Sequence, residues 1–397
     1  MWAKPSVTPL SFGAATEPVS KVTPVAAINQ ACEPSAARKT AIVYCEACFG
    51  QIDGKTANGL VRSSEKFEIL SIIDSEKAGQ DAGMVLDDCA NGIAICRDLS
   101  ESLAQADGVP DSFIFGMAPS SGMLSEQQRA LILKAMGHGM NIVNGLHEFL
   151  NDDPVFKAAC KTNQVTIDDV RRPRDKQDLR LFTGQVTELG CPRIAILGTD
   201  CAIGKRTTAT ILTEALNEQG IKAVMISTGQ TGLIQGARYG VALDAVPSQF
   251  CAGELEAIIV QAHQAEQPDI IIVEGQGALS HPAFCSSAFI LRGSCPSAVL
   301  LQHAPARVHR CDFEQMPMPQ LADEINLIET FADTKVIGVT INHEGMTDEQ
   351  VSLAISHYQQ TLGIACTDAL SRPSAWLVDM VLGAYPTLRP RVASRAP

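Results

Sequence analysis

The chain has 397 residues, 46% of them hydrophobic, with 44 acidic against 31 basic side chains and a formal net charge of −13. That length and apolar content fit two packed cores rather than a disordered chain, and the basic surplus of a nucleic-acid binder is missing. No apolar run reaches the ~20 residues of a membrane helix. The 13 cysteines, odd in number and thinly spread, read as free thiols of a reducing, cytoplasmic compartment.

Residues 1–40 are rich in Pro, Ala, Ser, Thr and Val and lack an apolar h-region, so they read as a disordered leader, with a transit peptide left open by their scarcity of acids. Ile42-Val43-Tyr44 predicts a first strand, Lys55 to Leu60 a helix start, and Phe67 to Ile73 a second strand closed by Asp74. Cys45 and Cys48 form a C-x-x-C with no second pair, and read as two buried thiols at a strand end. Ile93 to Cys96, Ser112 to Phe115 and Asn141 to Val143 are further short apolar runs. Ser125 with Gln128 predicts a capping box opening a helix over 126–136. Such alternation of short strands and helices predicts α/β architecture with a parallel, helix-covered sheet.

Residues 169–190 are charged and lack apolar periodicity, so they read as a linker in which Arg171 and Arg172 face solvent, with anion binding the lesser alternative. A second series of strands follows, over 193–197, 223–226, 270–273, 298–301 and 336–341, with helices expected over 205–217, 253–264, 321–331, 347–361 and 374–382.

Between the strand 193–197 and its helix stands Gly198-Thr-Asp-Cys-Ala-Ile-Gly-Lys205. A glycine-rich turn joining a strand to a helix presents backbone N–H groups as a nest for phosphate oxygens, and the helix dipole and Lys205 add positive charge. Five residues separate Gly198 from Gly204, where the common pattern has four. The residue after the lysine is Arg206, where Ser or Thr ordinarily holds Mg²⁺. Phosphate binding is therefore expected without the usual metal hydroxyl, at Gly198, Thr199, Asp200, Gly204, Lys205, Arg206, Thr207 and Thr208, with Arg206 adding donors for a metal-free phosphate.

Three further strand ends carry candidates. Ser227-Thr-Gly-Gln-Thr-Gly232 places Gln230 in a polar, glycine-rich βα turn. Ile271-Ile-Val-Glu-Gly-Gln-Gly-Ala-Leu-Ser-His-Pro282 delivers Glu274 and His281 as proton acceptors beside glycines that let a ligand approach. His303, Arg307, His309 and Arg310 cluster after the fourth strand and could meet an acyl or carboxylate group, but no spacing is that of a structural metal, and none is expected.

The P-loop, Thr228-Gly-Gln-Thr-Gly232, Asp244-Ala-Val246 and Glu274 to Pro282, with Cys48-Phe-Gly50, Lys55-Thr56, Gly145 to Leu150 and Asp169 to Pro173, together resemble a bacterial family first described as a domain of unknown function. The resemblance covers roughly residues 41–385. It implies a Rossmann-like domain over 41–168, the linker over 169–190, and a P-loop NTPase-like domain over 191–390 whose loop resembles that of dethiobiotin synthetase. It also implies D-glutamate N-acetyltransfer from acetyl-CoA, with Glu274 or His281 as base and Arg307 or Arg171 meeting substrate carboxylates. Coenzyme A carries phosphates and needs no metal to bind. An ATP- and Mg²⁺-dependent kinase or ligase acting on a carboxylate, with Asp200 and Glu274 on the metal, and a non-enzymatic nucleotide-binding regulator remain the alternatives. The expected partners are a small amino acid and an acyl-CoA, with no nucleic acid and no membrane, in a homo-oligomer.

Overall fold

A computed structural model describes residues 38–119 and 122–388. The leader expected over 1–40 lies almost wholly outside the described residues. The first sheet already begins at Lys39, two residues short of its expected edge.

Six parallel strands form the first sheet: β1 (Lys39–Tyr44), β2 (Phe67–Ile73), β3 (Ala94–Cys96), β4 (Ser112–Phe115), β5 (Asn141–Asn144) and β6 (Ile167–Asp169). Their order is β3-β2-β1-β4-β5-β6, the doubly wound Rossmann arrangement with its switch point between β1 and β4. Five helices connect them: α1 (Lys55–Arg62), α2 (Ala82–Asp87), α3 (Leu99–Gln105), α4 (Glu126–Gly137) and α5 (Pro154–Asn163). Alternation along β1 sorts its side chains to the two faces. Ile42 packs with Phe113, Met136 and Phe156 under α4 and α5. Ala41 and Val43 pack with Ala57, Leu60 and Ala82 under α1 and α2. The expected capping box forms: Ser125 accepts from the Gln128 N–H and Gln128 returns the bond.

The second sheet contains β7 (Arg193–Gly198), β8 (Ala223–Ile226), β9 (Ile270–Glu274) and β10 (Ala298–His303). A small antiparallel hairpin, β11 (His309–Arg310) with β12 (Phe313–Pro317), precedes the last two strands, β13 (Val336–Ile341) and β14 (Ala365–Asp368). The order is β14-β13-β10-β7-β9-β8, all parallel. Seven helices accompany them: α6 (Lys205–Glu218), α7 (Gln230–Gln235), α8 (Ser248–Glu266), α9 (Ser286–Ser294), α10 (Leu321–Phe331), α11 (Asp348–Leu362) and α12 (Ala375–Ala384). Ile194 and Ile196 of β7 face α6 and α12, while Ala195 and Leu197 face α8, α9, α10 and α11. A strand buried on both faces reads as a continuous apolar run, as this one does.

The two sheets meet through α1 and α7. Ile234 of α7 joins the core under α1. Gln235 donates to the carbonyls of Gly59 and Ser63 at 2.7 and 2.6 Å, and Thr56 shares a hydroxyl contact with Thr231 at 3.1 Å. Much of the charged stretch 169–190 is exposed, but two of its charges are not. Asp169 is buried and accepts from Asn144, Leu150 and Asn151. Arg171 is buried, donating to the Gly145 carbonyl and to Asp244 of the second sheet's lobe. Arg172 keeps the more exposed position, paired with Asp152. A run of charges in sequence cannot tell solvation from pairing across a fold, which is why Arg171 was misread.

Candidate functional site

The loop after β7 contains two left-handed residues. Ala202 has φ +49° and Gly204 φ +95°. The first is uncommon for a residue with a Cβ, and left-handed residues alternating with right-handed ones are what an anion nest is built from. Lys205 is buried at the first turn of α6 and donates to the Asp200 carbonyl of its own loop. Burial pulls its ammonium below the ordinary lysine range, so an anion placed in the nest would restore the favoured charge.

Other loop residues serve the frame. Thr199 is buried, its hydroxyl on His303 Nδ1 at 2.8 Å, and burial pulls His303 down to about 4. Thr208 donates to Gln302 Oε1 at 2.7 Å, so its hydroxyl is turned to β10 and away from any metal position. The Thr207 side chain makes no hydrogen bond among the described residues and lies partly exposed. Asp200 Oδ2 accepts from Arg307 Nη1 and the Cys311 N–H, both at 2.8 Å. Arg307 also donates to Glu344, Cys201 O and Ala202 O, which accounts for all five of its N–H groups. The expected meeting of Arg307 with a substrate carboxylate therefore fails: it braces the loop from behind. The expected carboxylate partner Arg171 is likewise committed, to Asp244 and the Gly145 carbonyl between the sheets.

Glu274 ends β9 and is buried. Its Oε2 accepts from the Ser227 hydroxyl and, at 3.0 Å, from the Thr228 N–H. Its Oε1 has no partner among the described residues and is not sealed off. One oxygen is held and the other is free, which is the arrangement a proton acceptor needs. Gly275 follows because a Cβ there would lie 2.0 Å from the Ile196 carbonyl of β7.

Arg206 does not enter the phosphate nest. Its Nε donates to Gln235 Oε1, and its Nη1 lies 3.9 Å from Glu274 Oε2. Side chains at successive helix positions diverge by about 100°, so Arg206 points to the β8–β9 side while Lys205 stays with the loop. Gln230 is buried against Gly145 of the first lobe rather than at the loop.

His281 also departs from its expected role. Its Nδ1 accepts from the Ala283 and Phe284 N–H groups at 3.2 and 3.1 Å, so the proton of the neutral ring sits on Nε2. Burial holds the ring below the usual imidazole range despite nearby Asp200. The geometry makes His281 a donor, not a base. Its Nε2 faces Asp200 Oδ1 at 3.7 Å. With Cys201 these atoms lie within 4.8 Å of one another. That spacing suits a metal, but the donor set does not: a protonated Nε2 offers no lone pair, and burial pushes the Cys201 thiol up.

Among the described residues, eight buried side-chain polar atoms lack a partner. Four of them, Asp200 Oδ1, Arg206 Nη1, Gln276 Oε1 and His281 Nε2, belong to residues gathered around the carboxyl ends of β7, β8 and β9. Buried polar groups are almost always paired, so this concentration marks the site. The mouth of an open parallel sheet is also where ligands bind. Sequence reading had quoted Gln276 and Ser227 within motifs without giving them roles. It missed Glu324, whose carboxylate accepts from Leu279 N, Ser280 N and Ser280 Oγ and so fixes the turn before His281. Glu324 lies on α10, 43 residues beyond His281, and no local signal pointed to it. From the first lobe, Lys55 comes within electrostatic reach of Cys201 and Lys205.

These features define a P-loop α/β protein with arginine where a metal-holding hydroxyl ordinarily follows the lysine, and with a buried carboxylate beside it. The P-loop domain profile of DUF1611, a family described as a domain of unknown function, matches residues 180–378, and that family's Rossmann-like N-terminal domain matches residues 75–173. The chain belongs to this family. A protein of Pseudoalteromonas named D-glutamate N-acetyltransferase is 32% identical over 70% of this chain and 84% of its own length. One of the same name from Tritonibacter scottomollicae is 29% identical over 68% and 80%. The crystal structure of a DUF1611 family protein from Anabaena variabilis superposes with TM-score 0.80 at 29% identity, covering 87% of this chain and all of that one. No helix among the described residues is long and apolar enough to cross a membrane.

Proposed function

We infer that this protein is an amino-acid N-acetyltransferase that moves acetyl from acetyl-CoA to the amine of an acidic amino acid, D-glutamate before others. The observation that carries the reading is Glu274, with Oε2 fixed by Ser227 and Thr228 and Oε1 free, one strand from a phosphate nest. The names of the Pseudoalteromonas and Tritonibacter relatives support the reaction and the substrate.

The nest around Ala202, Gly204 and Lys205 fits the phosphates of coenzyme A. In the reaction Glu274 Oε1 takes a proton from the substrate ammonium. The freed amine attacks the thioester carbonyl carbon, forming the C–N bond and a tetrahedral oxyanion. Collapse breaks the C–S bond, and the proton from nitrogen passes to the departing thiolate, leaving an amide and free coenzyme A.

A Mg²⁺-ATP mechanism fits less well, because Thr208 is committed to Gln302 and Asp200 Oδ2 to Arg307. Purified protein incubated with acetyl-CoA and D-glutamate in EDTA should release one thiol per N-acetylglutamate formed. Phosphate release dependent on Mg²⁺ and ATP, with no acetylated product, would overturn the reading.

A further inference from the structure

Beside the base stands a second group of unmet polar atoms. Arg206 Nη1 is buried without a partner, 3.9 Å from Glu274 Oε2. Its guanidinium is not free to swing: Nε is fixed to Gln235 Oε1, and that amide is oriented by its own two bonds to the Gly59 and Ser63 carbonyls. Gln276 Nε2 donates to the Thr228 carbonyl at 2.8 Å, so its Oε1 is turned away, buried and unpartnered. Glu274 thus holds the N–H of Thr228 and Gln276 its carbonyl. The result is a fixed donor beside an anionic acceptor.

An α-amino acid presents the complement. Its carboxylate and ammonium are joined through a single carbon, so a cation and an anion held almost in contact can each meet its opposite. A side-chain carboxylate, further from the ammonium, fits a pair this close less well. We propose that Arg206 Nη1 binds the α-carboxylate of the amino-acid substrate while Glu274 Oε1 receives its ammonium, so that the residue replacing the metal-binding hydroxyl reads the substrate instead. The proposal rests on the acetyltransferase reading and adds to it the class of substrate and the group that selects it. Arginine suits the task because its charge is permanent and its fork is planar.

The test compares D-glutamate with its α-amide and its γ-amide as acceptors, in the wild type and in Arg206→Gln, with acetyl-CoA as donor. In the wild type the α-amide should be acetylated about 10–100-fold less efficiently than D-glutamate, the range expected for one charged hydrogen bond. In R206Q, KM for D-glutamate should rise by a similar factor with kcat little changed. KM for acetyl-CoA should stay within about twofold, and the preference for D-glutamate over its α-amide should vanish. Equal use of D-glutamate and its α-amide by the wild type overturns the proposal, and so does a loss confined to the γ-amide. A rise in KM for acetyl-CoA alone in R206Q also overturns it and puts Arg206 on the phosphates. If R206Q does not fold, the wild-type amide series decides. If no acetyl transfer occurs at all, the acetyltransferase reading falls, and calorimetric binding of D-glutamate against its α-amide still tests Arg206, equal binding counting against it.

Discussion

Both sheets send their first strand into a loop and then a helix, but the loops after β1 and β7 meet different partners. After β1 the N–H of Phe49 donates to Asp74 Oδ2 at 3.1 Å, while Asp74 Oδ1 caps the turn at Glu76. Asp74 is fully buried. A carboxylate of the protein's own thus takes up an N–H of the loop after β1, and its buried charge disfavours an anion there. Both loops carry two left-handed residues, Ala47 and Gly50 after β1 and Ala202 and Gly204 after β7, but the second adds a buried lysine and a neighbouring carboxylate with one free oxygen. The unpartnered atoms of the first lobe are hydroxyls, Ser71 and Ser102, whereas those at the second mouth include a carboxylate, a guanidinium and an imidazole. Topology supplies a mouth in both lobes; unmet charge distinguishes the one built for chemistry.

The strongest break of this comparison is Glu274→Gln. It should lower kcat by about 10²–10⁴-fold, the usual contribution of a positioned base, while acetyl-CoA binding stays unchanged by calorimetry. Near-normal turnover would remove Glu274 from the mechanism. Lys205→Met should come next, weakening acetyl-CoA binding by about 10–100-fold, as loss of a charged hydrogen bond does. In the first lobe, Asp74→Asn should act on stability alone, lowering the melting temperature by an amount worth ~1–3 kcal/mol with kcat and both KM values of the folded enzyme retained. Loss of acetyl-CoA binding in that variant without a change in melting would mean the first mouth is the functional one.

His303 gives a pH-dependent version of the same contrast. Its folded pKa, about 4, lies below the unfolded 6.5. The unfolded chain therefore binds the extra proton first, and this stabilisation is complete above about 6.5 and is lost as pH falls toward 4. Melting followed between those values should decline less steeply for His303→Asn than for the wild type, and parallel declines would show that His303 is not held neutral. The smallest effect belongs to Lys55→Ala, a two- to fivefold rise in KM for acetyl-CoA that shrinks in high salt, since an exposed charge acts through screened space.

How much of this was legible in sequence depends on the range of the signal. The strand 193–197, its loop and its helix are contiguous, and the run of apolar residues followed by Gly-rich text carried β7, the loop and α6 together. β6 and β14 were missed: Asp168 and Asp169 are two of the three residues of one, and Ala365 to Asp368 is short and mixed. The helix expected from Gly253 begins at Ser248, because Pro247 sets its start. Glu274 was legible because an acid closing a buried strand must be held for a reason. The tautomer of His281 was not, because it depends on two N–H groups in its own turn. Nor was the commitment of Arg307, which needs Asp200 and Glu344 brought from distant segments. Residue type announced that charges would gather here, but only folding decided which were already neutralised.

The most direct test is calorimetric titration of acetyl-CoA into the protein in EDTA and again with Mg²⁺, beside a parallel titration of ATP with Mg²⁺. The expected result is acetyl-CoA binding of equal affinity in both buffers and much weaker binding of Mg²⁺-ATP. Tight Mg²⁺-ATP binding with no heat from acetyl-CoA would contradict a metal-free loop serving an acyl-CoA.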